Sequence, residues 1–432
     1  MPLLVYSPSI NQRKSYIFNH ILVDILGIEY TFTSNKEAFI QYTEAKLNYA
    51  PFPFGDELHL AQHPFIDEKT IQIQHPTFVK YENYNVPFAL KNPLFPFDIF
   101  SASFYLLSRY EEYLPNTKDS HNRYQATNSM AFTHGFLHKP VIDNWAFSLL
   151  TKLKQRYPNL KSTARKFTFI PTIDVDNPYY LKTETFLRKY VKISKALIKG
   201  NFRILKYDPY DTYAYLKNLH QQYNLQPIFF FLVGNTHLYD TAPAMLDYNA
   251  SYKLLIKSIE NYAQVGIHPS YHSNENGTAL TAEINVLASA LSDKKIEIAR
   301  QHYLKLNLPD TYKNLLNAAI KHDYTMGYAS HTGFRASTCT PFFWYDLQNE
   351  IISDLTLHPF AVMDQTLKKY LNLNSHEAII NTQNLIDEVK KVNGTFISLW
   401  HNETLSDFGT WKSWRKVYEE MLEYAHQNQN TN

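Results

Sequence analysis

The chain has 432 residues, more than a single hydrophobic core usually holds, so two domains are expected. Hydrophobic residues make up 44% and charged residues 19%, against about 25% charged in ordinary soluble domains, which excludes general disorder. The formal charge is +2, from 42 Lys and Arg against 40 Asp and Glu, and this balance, without a dense basic run, points away from nucleic acid and from an anionic membrane.

The opening "MPLLVYSPSI" lacks the pattern of a secretory leader, and no apolar run reaches the length of about 18 residues that a membrane span needs, so a soluble, cytoplasmic protein is expected. Residues 1 to about 150 mix short strand-like runs, "PLLVYS" and "TIQIQH", with helical ones, "DIFSASFYLLSRYEEYL" and "VIDNWAFSLLTKLKQRYP". The polar joint "KSTARK" follows, and a boundary at 160/161 is expected there. Beyond it the texture changes. The runs "KFTFIPTIDVD", "QPIFFFLVGN", "QVGIHPS", "KIEIARQHY", "FAVMDQT" and "GTFISLWHN" read as buried strands that end in polar residues, with helices such as "PDTYKNLLNAAIKH" and "HEAIINTQNLIDEVKKVN" between them. This alternation predicts a parallel sheet with crossover helices, closed or nearly closed into a barrel, after a smaller mixed α/β domain. The polar C-terminal "HQNQNTN" is the one segment expected to be loose.

In such a barrel the working side chains sit at the C-terminal strand ends. Those ends carry Asp174 and Asp176, His268, Arg300, Asp364 and His401. The lone Cys339 excludes a disulfide framework and a cysteine-based zinc site, so any metal must be held by His and carboxylate. Asp174 and Asp176, two apart, leave an extended strand on the same face, and carboxylates that close repel unless a positive group lies between them; Asp pairs also form simple turns. His268 and His272 stand at i and i+4, on one side of a helical turn that Pro269 can start. Two imidazoles and a carboxylate are the ligand set of a catalytic zinc-type site, although histidines at this spacing are more often solvated. His401, after an apolar strand, suits proton transfer or a buried hydrogen bond. Arg300 can support an Asp and Asp364 a His, or both can serve structural ion pairs. Arg335, His302 and Trp400 are expected substrate contacts. The 33 tyrosines fit sugar-stacking surfaces or a plain compositional bias.

The order of these motifs resembles the polysaccharide deacetylases of the NodB-homology type, carbohydrate esterase family 4. "TIDVD" resembles that family's first motif, "HPSYH" its second, "RQHYLKL" its third and "LWH" its last, over about residues 165 to 425. Val175 separates the two Asp that usually adjoin, Pro269 stands where Ser or Thr is usual, and the third motif lacks its Arg-Pro-Pro-Tyr form. "SRYEEYL" and "HGFLHKPVIDNW" resemble the accessory region of a subgroup of these proteins.

The resemblance implies a distorted (β/α) barrel and a hydrolase that removes N-acetyl or O-acetyl groups from a polysaccharide or amino-sugar glycoconjugate. It implies one divalent ion, zinc first and cobalt, nickel, iron or manganese also suited, held by Asp176, His268 and His272. Asp174 would be the general base oriented by Arg300, and His401 the general acid held by Asp364. Two other readings are a catalytically degenerate carbohydrate-binding protein on the same scaffold and a metal-free glycosidase. The second fits poorly, because its carboxyl groups need about 5 to 10 Å between them across a sugar.

Overall fold

The computed structural model describes residues 2–182, 186–198, 200–234, 238–240, 250–292 and 295–427. Most of the "HQNQNTN" tail lies outside the described residues. The N-terminal sheet is parallel, in the order β2-β1-β3-β4, from β1 Leu3–Tyr6, β2 Tyr30–Thr33, β3 Lys46–Ala50 and β4 His59–Ala61. A two-stranded hairpin follows, β5 Phe78–Tyr81 with β6 Tyr84–Pro87. The alternating run "TIQIQH" forms no strand: it has no ladder partner, and the Gln72 amide donates to the Tyr110 hydroxyl instead. The helix Ile99–Leu107 starts where Asp98 accepts from the Phe100 and Ser101 amides, satisfying donors that the first turn leaves open. Asp98 also accepts from the Tyr49 hydroxyl and the His63 amide, which ties the helix to β3.

Among the described residues the second sheet has nine strands: β7 Thr168–Val175, β8 Ile228–Leu232, β9 Gln264–His268, β10 Ile298–Ala299, β11 His322–Asp323, β12 Phe342–Asp346, β13 Ile351–Leu357, β14 Val362–Met363 and β15 Thr395–His401. Their order is β12-β13-β11-β10-β9-β8-β7-β15-β14, parallel throughout except for β12. The last parallel strand therefore returns beside the first, with helices in the crossovers. The ladder is open: among the described residues no strand pairing joins its two ends, so of the closed or nearly closed barrel expected from the sequence the closed form is not what forms. The reason lies in residues 358–361. There the His358 and Phe360 amides bond to the Asp323 and Met326 carbonyls on one side, while the Ala361 amide bonds to Ile397 on the other. One irregular segment thus spans the gap that a full strand would fill.

Strand alternation sorts the side chains. Ile228, Phe230, Ile397 and Leu399 form an inner cluster with Tyr324, Phe360 and Met363, whereas Ile173, Val175, Phe229, Phe231, Phe396 and Trp400 face the helices in the main core. Gly266 pairs with Phe230, and a Cβ there would lie 2.7 Å from the Phe230 ring, so only glycine lets the two strands share the narrow interior.

The N-terminal region and the large sheet share one continuous hydrophobic core. Buried ion pairs cross between them. The Glu112 carboxylate receives Arg335 Nε at 2.9 Å and Nη2 at 2.6 Å, and also Arg109 Nε at 2.8 Å, while Arg13 donates two bonds to Glu350. Asp143, fully buried, collects Arg165 and the hydroxyls of Thr338 and Thr340. Removing one partner of such a group strands a buried charge, so Glu112→Ala should lower the unfolding free energy by about 3–5 kcal/mol in a denaturant titration.

His220 is buried against the Tyr418 hydroxyl, 2.6 Å away, and burial pushes its ring down to about 3. The unfolded chain takes up this proton near pH ~6.5, so stability is full above that pH and is lost as the pH falls toward about 3. A loss of ~1 kcal/mol from this ring is expected by about pH 5.5. Thermal melts at neutral and mildly acid pH should show a smaller difference for His220→Gln than for the native chain.

Candidate metal-binding site

Asp174 and Asp176 leave the end of β7 on the inner face, and His401 at the end of β15 sits in register with Asp174. His268 ends β9, and Arg300 and His302 follow β10. All six side chains meet at the C-terminal edge of the sheet. They do so because parallel strands end together and residues two apart face the same way.

Asp176, His268 and His302 come close enough to share an ion: one ligand atom from each lies within 4.8 Å of the others. His268 Nδ1 is 2.5 Å from the Arg300 carbonyl, which can only accept, so Nδ1 donates and Nε2 is turned toward Asp176 Oδ1 at 3.2 Å. Asp176 Oδ1 is buried and has no hydrogen-bond partner. A cation could bridge this nitrogen and oxygen, and the second ring nitrogen is anchored as metal-ligating histidines require. His302 Nε2 lies 3.5 Å from Asp176 Oδ2, and its Nδ1 is held at 3.0 Å by Asp240. Burial opposes charge on this ring, yet Asp176 and Asp240 push it up to about 9. Burial likewise opposes charge on Asp176, and His302 beside it still holds its carboxyl well below the usual range.

Two pairs flank this trio. Arg300 Nη1 donates to Asp174 Oδ1 at 2.9 Å and to the Thr172 hydroxyl at 2.7 Å, leaving Asp174 Oδ2 3.7 Å from His268 Nε2. His401 Nδ1 lies 2.9 Å from Asp364 Oδ1, and its Nε2 is 3.7 Å from Asp176 Oδ2. Asp364 is fully buried and also accepts from the His401 amide and the Thr404 hydroxyl, so its orientation is fixed. Burial works against charge on His401, but Asp364, Asp176 and Asp174 raise it to about 10.

The group opens on a cavity of about 370 Å³, walled by Tyr239, Tyr303 and Tyr370 with the polar Arg123, Gln301 and Glu403. Glu403 takes a hydrogen bond from Asn177 at 2.7 Å, and burial together with Asp176 raises its carboxyl. Arg123, from the N-terminal region, donates to the Tyr303 carbonyl at 2.6 Å and to Asp119 at 2.7 Å, so that region forms part of the wall.

Four sequence expectations fail. His272 is exposed, with its Nε2 3.4 Å from Asn276 Nδ2, and takes no part in the site. The i,i+4 geometry presupposes a helix, but His268 is a strand residue and residues 269–272 run through an irregular turn pinned by Glu283 on Ser270. His302, expected as a substrate contact, stands among the possible ligands instead. Its signal was available, since it follows Arg300 at the two-residue spacing of Asp174 and Asp176. Trp400 is fully buried on the outer face of β15 against Tyr418 and does not reach the cavity. Arg335 spends its guanidinium on Glu112 and the Gly327 carbonyl, a structural lock and not a substrate contact. Asp240, Glu403 and Arg123 carried no motif and were not foreseen.

The protein is thus a mixed α/β protein with parallel sheets and a possible metal-binding triad. A model of a family of unknown function (DUF7033) matches residues 3–158. Comparison of the sequence with curated proteins gives no match. Among solved structures the chain is weakly similar to a putative polysaccharide deacetylase from Mycobacterium smegmatis, with 14% identity and a TM-score of 0.40 over 63% of this chain and 87% of that one. It is also similar to a 4-alpha-glucanotransferase from Thermococcus litoralis, with 10% identity and a TM-score of 0.39 over 62% of this chain and 38% of that one. A 7,8-dihydropteroate synthase from Vibrio fischeri gives 7% identity and 0.30, over 63% and 97%. Similarities this weak carry no argument about function.

Metal analysis of purified protein should find about one divalent ion per chain. Asp176→Asn and His302→Gln should each lower its affinity by about tenfold or more, whereas His272→Gln should retain it.

Proposed function

We propose that the protein is a metal-dependent hydrolase that removes an N-acetyl or O-acetyl group from a carbohydrate or glycoconjugate. Asp176, His268 and His302 are read as the ligands of one divalent ion, zinc first, with cobalt, nickel, iron or manganese also suited to this donor set. The observation that carries the reading is the unpartnered Asp176 Oδ1 facing His268 Nε2, set between two oriented proton-transfer pairs. The motif order resembling the carbohydrate esterases supports it. With it we read the open sheet as an incompletely closed (β/α) barrel, and residues 1–160 as an accessory domain before it.

An ion held there would supply Lewis acidity toward a carbonyl oxygen and acidify a water. The chain supplies the rest. Asp174, fixed through Oδ1 by Arg300, has Oδ2 left to take a proton from the attacking water. His401, with Nδ1 committed to Asp364, presents Nε2 across the cluster to protonate the leaving amine, without which an amide C–N bond does not break. Asp364 keeps the ring in one orientation and supports its positive charge. The tyrosines of the wall offer faces for sugar stacking, and Arg123, Gln301 and Glu403 offer hydrogen bonds to hydroxyls.

Zinc- or cobalt-loaded protein should release acetate from N-acetylated amino-sugar substrates, with loss of activity in chelator. Asp174→Asn and His401→Gln should each lower kcat by about a hundredfold or more while the metal content stays unchanged. Metal retention with no turnover on a panel of acetylated sugars would point to the carbohydrate-binding reading.

A further inference from the structure

Residues 185–207, in the crossover between β7 and β8, contain seven Lys or Arg and no Asp or Glu, within a chain whose net charge is only +2. The helix Phe186–Ile198 occupies the first half of this stretch. Its inner face packs Ile193, Ala196 and Leu197 against Leu181, Ile204, Tyr180 and Phe408. A second apolar stripe points outward. Leu187, Val191 and Ile198, at i, i+4 and i+11, share one side of the helix, with Leu187 78% and Ile198 85% exposed; Phe186 and Tyr190 are exposed beside them. Arg188 and Lys195 are exposed along the flank. The turn Phe202–Leu205 and the residues after it add exposed Phe202, Leu205 and Tyr207.

A solvent-facing helix normally turns polar residues outward, and a contiguous apolar stripe left in water marks an interaction surface. Its composition selects the partner. Lys and Arg beside aromatic and aliphatic side chains, with no acidic residue, match the boundary layer of an anionic bilayer, where apolar groups enter the acyl region and cations meet lipid phosphates. A nucleic acid would use the charges but leave the aliphatic stripe wet. The segment is also firmly rooted. The Asp208 carboxylate accepts from the Tyr180, Leu181 and Lys182 amides at 2.7, 2.7 and 3.0 Å, and Asn177, just upstream, lines the cavity wall. The helix therefore grows from the rim of the site.

We propose that the helix Phe186–Ile198 and the turn after it dock the protein on an anionic membrane surface, with Leu187, Val191 and Ile198 in the interface and the flanking Lys and Arg on lipid phosphates. Resting on the hydrolase reading, the substrate is then a glycoconjugate carried by or held at that membrane.

The full chain should sediment with vesicles of phosphatidylcholine containing phosphatidylglycerol at least about tenfold better than with phosphatidylcholine alone, and added salt should reduce the difference. A variant with Leu187→Ser, Val191→Ser and Ile198→Ser should lose about tenfold in binding, and a variant with Arg188→Glu and Lys195→Glu should lose the preference for the anionic lipid. These side chains are exposed, so the variants should keep the native melting temperature and metal content. Equal partition of the native chain between the two vesicle types would overturn the proposal, as would binding that both variants retain. So would a native chain that ignores vesicles but self-associates through this helix. Vesicle binding is read without turnover, so its failure and that of the hydrolase reading are separable.

Discussion

Arg300 is the side chain on which the site rests. Its guanidinium is fully buried, sits 4.5 Å over the Phe230 ring, and donates to Asp174, Thr172 and the Tyr324 carbonyl, while its own carbonyl receives His268 Nδ1. One residue therefore sets the direction of a carboxylate on β7 and of an imidazole on β9. A charge taken that far from water costs several kcal/mol unless it is paired and hydrogen-bonded, so this geometry persists only with its partners in place. Asp364 does similar work on the other side, where it fixes His401 through both the ring and the amide.

The consequence is a division of labour among the acids. Asp174 faces a permanent cation, Asp364 faces one imidazole from full burial, and Asp176 lies between three imidazoles with one oxygen unpartnered. Three carboxylates of the same chemistry thus sit in three environments, the difference on which their proposed roles as ion ligand, base and support of the acid rest. The N-terminal region belongs to this arrangement. It shares the core, locks onto the large sheet through Glu112 and Arg335, and sends Arg123 into the cavity wall.

The whole-chain charge conceals the distribution that matters at the surface. A net charge near zero is the sum of a basic, outwardly apolar helix and acidic residues elsewhere, and the field that a lipid phosphate feels is local, within a Debye length of about 10 Å. A composition read over 432 residues averages over many such lengths.

By itself the sequence indicated six parallel strands of the large sheet, β7 to β10, β14 and β15, because each is a short apolar run that ends in polar residues, while β11, β12 and β13 carried no such signal. It also determined that Asp174 and Asp176 share a face, since the period of two is a property of any extended chain. For residues two apart on one strand, and for those at the ends of neighbouring parallel strands, the sequence reading transferred to the fold. It failed where it assumed a local geometry that the chain does not take: a helical turn for His272, and an inward direction for Trp400, which lies one residue from His401 and so on the opposite face. Tertiary structure alone decided that His302 completes the cluster with Asp240 behind it, that Arg335 serves Glu112, that the sheet stays open at residues 358–361, and that Glu403 and Arg123 reach the cavity. Those pairings join residues tens to hundreds of positions apart, and no periodicity along a chain encodes which distant side chain fills a given gap.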